Sequence, residues 1–133
     1  MTQGTMTSGM ELGRQGEAFA AAYYRDRGAR LVGMNARCGR DEIDLIVREP
    51  TGTLVFVEVK TRSGRGCGAA EAVDARKVAR MRRAAARWLR GRPYSPVRLD
   101  VLALTVVGRE RREGREHVLF DVERYEGVDQ GAC

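Results

Sequence analysis

The sequence predicts a single α/β domain in which a central mixed β-sheet is flanked by helices. Three observations predict it. Two stretches alternate in side-chain character around a turn and read as a β-hairpin. Two others repeat apolar residues at helical spacing. One apolar run, residues 97–107, suits a strand buried at the centre of a sheet. The order along the chain is helix, strand, strand, strand, helix, strand, strand, with one helix expected on each side of the sheet. At 133 residues the chain has room for one domain with a real core.

Residues 1–9 have neither a basic start nor an apolar stretch, so they read as a frayed, disordered leader rather than a signal peptide. The first helix is expected over about residues 10–27, with Leu12, Gly16, Phe19 and Tyr23 on one apolar stripe. Gly13 and Gly16 each cost about 1 kcal/mol relative to alanine inside a helix, so close approach to a sheet or a phosphate is the expected reason for them. Glu17 lies well off that stripe, and periodicity alone makes it a solvated acid. Gly28 suits the helix C-terminus. A short strand over residues 29–34 and a basic loop over residues 35–40, with Arg37 and Arg40, lead into the hairpin.

The hairpin is the stretch around which the chain is organised. Over residues 41–47, Ile43, Leu45 and Val47 are expected on one side and Glu42, Asp44 and Ile46 on the other. Over residues 54–60, Val55, Val57 and Val59 face one way and Leu54, Phe56, Glu58 and Lys60 the other, with Pro50, Thr51 and Gly52 supplying the turn. The register that pairs Arg48 with Leu54 also sets Ile46 against Phe56, Asp44 against Glu58 and Glu42 against Lys60. Two carboxylates placed across from each other repel. Either one of them holds a proton at a raised pKa, or a divalent cation lies between them. A Glu and a Lys two apart on a strand can equally be a surface ion pair worth about 0–1 kcal/mol. Against that, only Lys60 and Lys77 stand among 22 arginines, so general basic usage does not explain a lysine in this row.

Residues 61–68, with Arg62 and Arg65, form a glycine-rich basic loop that could wrap a phosphate or serve as a plain connector. Asp74 suits the N-cap of a second helix reaching about residue 90. Val78, Met81, Ala85, Trp88 and Leu89 should pack on the sheet. Arg76, Arg80, Arg83, Arg87 and Arg90 form a stripe opposite, which any surface helix can show. No acid interrupts it, so it reads as a face for a phosphate backbone. Pro93 and Pro96 bracket a turn before the long strand. A charged reversal over residues 108–115, a half-exposed strand over residues 116–125 and a disordered tail over residues 127–133 complete the chain. The domain proper is thus expected over residues 10–126.

A formal charge of +6 and a pI near 9.8 point to an anionic partner, most simply nucleic acid. No apolar run approaches the roughly 18 residues of a membrane span. Cys38, Cys67 and Cys133 form no CxxC pair, so neither a disulfide framework nor a zinc site is indicated, and a reducing cytoplasm is expected. His117 is the only histidine, which leaves little room for a histidine-based triad or for Cys38 as a nucleophile.

Gly13-Arg14-Gln15-Gly16-Glu17, Asn35, Glu42-Ile43-Asp44-Leu45-Ile46, Val55-Phe56-Val57-Glu58-Val59-Lys60-Thr61-Arg62, Ala72-Val73 with Lys77, and Arg98-Leu99-Asp100-Val101 occur in that order. Together they resemble the UPF0102 family, also called YraN. That family looks like a member of the restriction-endonuclease-like PD-(D/E)xK superfamily, with relatives among the archaeal Holliday-junction resolvases. The resemblance implies a restriction-endonuclease-like domain in which Asp44 and Glu58 bind metal, Lys60 is the superfamily lysine and Glu17 completes the site. Asp41 departs from the family's usual glycine and adds a negative charge nearby. Cys67 departs from a common aromatic before Gly68.

These readings converge on a metal-dependent endonuclease acting on DNA, branched or damaged DNA included, with Mg²⁺ or Mn²⁺ as cofactor. Arg14, Arg37, Arg62, Arg65, Arg76, Lys77, Arg80, Arg83 and Arg87 are the expected nucleic-acid contacts. Cleavage of a branched substrate at two symmetric positions would ask for a homodimer. The alternative is a nucleic-acid-binding module of the same fold that does not cut.

Overall fold

The computed structural model describes residues 9–64 and 73–129. The readings of residues 1–8, of Arg65 and Cys67, and of residues 130–133 lie outside them. The described elements are α1 (Gly9–Asp26), β1 (Arg30–Cys38), β2 (Asp41–Arg48), β3 (Leu54–Arg62), α2 (Ala75–Leu89), β4 (Val97–Arg112) and β5 (Arg115–Tyr125). The strands form one sheet in the order β1-β2-β3-β4-β5. Every neighbouring pair is antiparallel except β3 and β4, which run parallel and are joined through α2. The mixed α/β class expected from the sequence is borne out.

The two helices cover opposite faces. Ala20, Ala21 and Tyr24 of α1 pack with Leu45, Val47, Val55, Val57, Leu102 and Leu104. Met81, Ala84 and Ala85 of α2 pack with Ile43, Ile46, Leu54, Phe56, Leu99 and Val101. Asp74 caps α2, its carboxylate accepting the Lys77 N–H at 2.7 Å.

Several expectations need correction. The helix begins at Gly9, one residue inside the expected leader. Phe19 and Tyr23 flank the α1 contact instead of forming it, because the small residues Gly16, Ala20 and Ala21 let the helix approach the sheet closely. Strand β1 continues to Cys38, and the expected basic loop shrinks to a turn at Gly39 and Arg40; Gly39 supplies the positive φ that the turn requires. Ile43 faces α2 with Ile46, not the side of Leu45 and Val47. The reversal after β4 is only Glu113-Gly114, both at positive φ, as tight hairpins demand. Beyond Thr105, which pairs with Arg62 at the end of β3, strands β4 and β5 continue as a two-stranded ribbon. Gly127 and Val128, expected in a loose tail, are tied to β4: Gly127 N donates to Asp100 Oδ1 at 3.1 Å and Val128 N to the Leu99 carbonyl at 2.9 Å.

A buried polar network lies where β4 enters the sheet. Asp100 is fully buried and accepts from Tyr24 Oη at 2.8 Å and from Arg98 Nε at 2.9 Å. Arg98 in turn grips Glu49 of the hairpin turn through both Nη atoms, at 3.0 and 2.7 Å. One arginine–aspartate pair therefore ties together the end of α1, the hairpin turn, β4 and the segment after β5. Burial is repaid here because every charge has several partners.

Candidate active site

The hairpin adopts the expected register, with Arg48 opposite Leu54 and Ile46 opposite Phe56. Backbone pairing ends at Leu45 and Val57, and the strands part where Asp44 and Glu58 would have met. Asp44 turns its carboxylate into that opening, and its Oδ2 accepts the Val59 N–H at 2.8 Å. The carboxylate replaces the missing strand partner of Val59, and Asp44 stays within the electrostatic reach of Glu58.

Asp44 is largely withdrawn from water. Burial first, then the negative charges of Glu58, Glu17 and Glu42, push its carboxyl up to about 7, against the opposing pull of the Val59 N–H. Glu17 thus contributes to the electrostatics of Asp44 from α1, although it lies off the helix's apolar stripe. Gly16 explains how α1 comes so near. A methyl group there would overlap the Thr61 hydroxyl and come within 3.2 Å of its Cβ, so only glycine lets the helix rest on β3 beside Lys60.

Glu58 is held from the other helix. Lys77 Nζ lies 3.7 Å and Arg80 Nη2 3.5 Å from its Oε2. Both cations were expected at a phosphate backbone; in this state they compensate the Glu58 carboxylate. Arg83 likewise turns inward, holding Asp41 through Nε at 3.0 Å and Nη2 at 3.4 Å. That pair holds the Asp41 carboxyl below the usual carboxylate range, so the extra acid is compensated locally by Arg83. Lys60 is half-buried on β3 and forms no ion pair among the described residues.

Of the other expected contacts, Arg14, Arg37, Arg76 and Arg87 are exposed, and Arg62 closes β3. Arg37 and Arg87 come together at the far end of α2 with Arg90 and Arg92. Sequence reading missed Arg92; its spacing of four from Trp88, whose ring it covers at 3.6 Å, is the signal that could have found it. Burial and the charge of Asp41 push the Cys38 thiol up, which makes it a poor nucleophile.

The oxygen-only donors Asp44 and Glu58 suit a hard cation such as Mg²⁺ or Mn²⁺, which commonly takes one or two carboxylates and completes its shell with water and phosphate. Among the described residues no group of three or more His, Cys, Asp or Glu side chains forms a ready-made metal cage. The acids that raise the Asp44 carboxyl are the same ones a cation would relieve.

Residues 16–104 match the family described as "Uncharacterised protein family UPF0102". The chain belongs to the UPF0102 family. A UPF0102 protein of Corynebacterium efficiens is 48% identical over 126 residues, covering 95% of this chain and 98% of that one. One from Corynebacterium glutamicum is 46% identical over 91% and 93% of the two chains, and one from Frankia alni 50% identical over 71% and 80%. Among solved structures, SfsA of Pyrococcus furiosus in complex with Ca²⁺ overlaps at a TM-score of 0.39 and 15% identity, covering 81% of this chain and 62% of that one. No helix of the described residues is long and apolar enough to cross a membrane.

Proposed function

We propose that this UPF0102 protein is a metal-dependent endonuclease that cleaves phosphodiester bonds in DNA, branched or damaged DNA included. The observation that carries the proposal is the pair Asp44 and Glu58 at the point where β2 and β3 part, where burial and then the neighbouring acids raise the Asp44 carboxyl to about 7. Asp44 and Glu58 would hold Mg²⁺ or Mn²⁺, with Glu17 adding charge from α1. A bound ion supplies charge stabilisation at phosphorus and lowers the pKa of a coordinated water.

The chain's own groups do the rest. Lys60, on the same strand as Glu58 and without an ion-pair partner among the described residues, orients the attacking water and stabilises charge as it develops on the phosphate. With a cation held by Glu58, Lys77 and Arg80 would be released from it and available to the anionic substrate. Arg14, Arg62, Arg65 and Arg76 hold the backbone without reading sequence. Two symmetric cuts in a branched substrate would require a two-fold dimer, which light scattering on the DNA complex tests.

The deciding experiment is cleavage of labelled single-stranded, duplex, flap and four-way-junction DNA with Mg²⁺ or Mn²⁺, comparing the wild type with Asp44→Ala and Lys60→Ala. Loss of cleavage in both variants with DNA binding retained supports the proposal. Metal-independent cleavage, or tight binding with no cleavage of any form, overturns it. The second of these outcomes favours a non-cutting binding module in which Lys77 and Arg80 stay on Glu58.

A further inference from the structure

Four arginines converge where α2 ends against the β1–β2 turn. Arg37 from β1 and Arg87, Arg90 and Arg92 from α2 and its C-terminal turn line a groove of about 660 Å³. The groove contains no acid. Among the described residues none of the four is in an ion pair, and Glu42, the cross-strand neighbour of Arg37, makes none with it. The nearest acid on the turn, Asp41, is already taken by Arg83.

Two of the four arginines make contacts that place them at the groove. Arg87 lies so close over Gly39 that a Cβ there would sit 3.1 Å from its Cδ, Nε and Cζ. Arg92 stacks on Trp88 at 3.6 Å and donates from Nε to the Trp88 carbonyl at 2.8 Å. Trp88 is itself fixed edge-on against Phe56 in the core. Unconstrained surface arginines would swing apart to relieve their repulsion. Here four like charges line one groove with no acid in its lining, which is the arrangement an anion-binding site needs.

The groove is also in line with the candidate site. Along α2, Arg80 reaches Glu58, Arg83 reaches Asp41 and Arg87 reaches Gly39. From Arg80 to Arg87 the helix rises about 10 Å, roughly the axial span of three nucleotides along one strand of a duplex. We infer that this four-arginine groove is a metal-independent phosphate-binding subsite. It grips the backbone of a nucleic-acid strand about three nucleotides from the bond presented to Asp44 and Glu58. The inference rests on the reading that the partner is nucleic acid; it does not need the chain to cut.

The test is salt-dependent binding of a labelled DNA oligonucleotide in EDTA, followed by fluorescence anisotropy between about 50 and 200 mM salt. Each phosphate contact contributes about 0.7 to 0.9 to the slope of log affinity against log salt. The double variant Arg37→Gln/Arg87→Gln should therefore lose between about 1 and 2 of that slope and bind more weakly at low salt. A second pair, Arg90→Gln/Arg92→Gln, should lose a similar amount, which guards against a local fold effect of emptying the space over Gly39. Arg25→Gln/Arg30→Gln, away from the groove, should keep the wild-type slope. Unchanged slopes in both groove variants overturn the inference even if Asp44-dependent cleavage is found. A reduced slope in EDTA upholds it even if no DNA is cut. Absence of any salt-dependent binding by the wild type overturns both readings.

Discussion

Asp44, one position beyond the last backbone pair of β2 with β3, accepts through its carboxylate the N–H of Val59, two positions beyond that pair, at 2.8 Å. This contact lets the two strands separate without leaving an unpaired donor in the sheet. It also fixes Asp44 beside Glu58 instead of letting their repulsion drive them apart. The acidic pair is therefore a product of where the ladder ends as much as of which residues are present.

The first prediction concerns pH. Folding raises the Asp44 carboxyl to about 7, from about 3.9 in an unfolded chain. Between those values the folded state keeps a proton that the unfolded state has lost. The associated stability is complete below the unfolded pKa and falls as pH rises through about 7, by up to about 1.4 kcal/mol per pH unit. Asp44→Asn cannot ionise, so urea denaturation in EDTA should show it more stable than the wild type above neutrality, with the difference vanishing near pH 4. A difference that does not change with pH would place the proton elsewhere.

The second concerns competition for Glu58. Lys77 and a metal ion cannot both be close partners of the same carboxylate oxygen at full strength. An ion pair of this partly exposed kind is worth about 0–1 kcal/mol, so Lys77→Met should tighten Mn²⁺ binding by up to about fivefold. Titration of free Mn²⁺ by electron paramagnetic resonance reads this directly. Weaker binding in the variant would mean that Lys77 helps to assemble the acids.

Much of this was legible in the sequence because it depends on period and turn chemistry. Alternation fixed the register of β2 and β3, and Asp74 marked the start of α2. What was not legible depends on tertiary contact. Nothing local to Lys77 or Arg83 says that they reach Glu58 and Asp41 instead of solvent. Residues 35–38 are polar enough to read as loop, yet β2 recruits them as an edge strand. Asp100 stood out in the sequence only as part of a family-like run, since its partners Tyr24 and Gly127 are distant in the chain.

The third prediction uses the contact between α1 and β3. In an ordinary helix Gly16→Ala would stabilise by about 1 kcal/mol. Here the new methyl collides with Thr61, and overpacking of this kind costs about 1–3 kcal/mol. Denaturant unfolding should show a net loss. Because Thr61→Ala removes the hydroxyl and methyl that the new Cβ meets, adding it to Gly16→Ala should recover part of that loss. Equal damage in the single and double variants would show that the close approach is not at Thr61.

The last prediction concerns the contact between Tyr24 and Asp100. Tyr24 Oη donates at 2.8 Å to an aspartate with no exposure to water, and burial together with the Asp100 charge holds the phenol far above its ordinary pKa. Tyr24→Phe keeps the ring in the core and removes only this donor. A hydrogen bond to a charged acceptor is worth about 1.5–3 kcal/mol, and Asp100 retains Arg98 and the Gly127 N–H, so the loss should fall in the lower half of that range. Asp100→Ala should cost more, about 3–5 kcal/mol, because it withdraws from Arg98 a buried partner. Asp100 lies opposite Val57, beside Glu58 in register, but it meets Tyr24 on the α1 face of the sheet, whereas Glu58 is held by Lys77 and Arg80 of α2. Tyr24→Phe should therefore leave metal binding unchanged when assayed well below its melting temperature. A fall in Mn²⁺ affinity in Tyr24→Phe would mean that α1 transmits strain from Tyr24 to Glu17, seven residues earlier on the same helix.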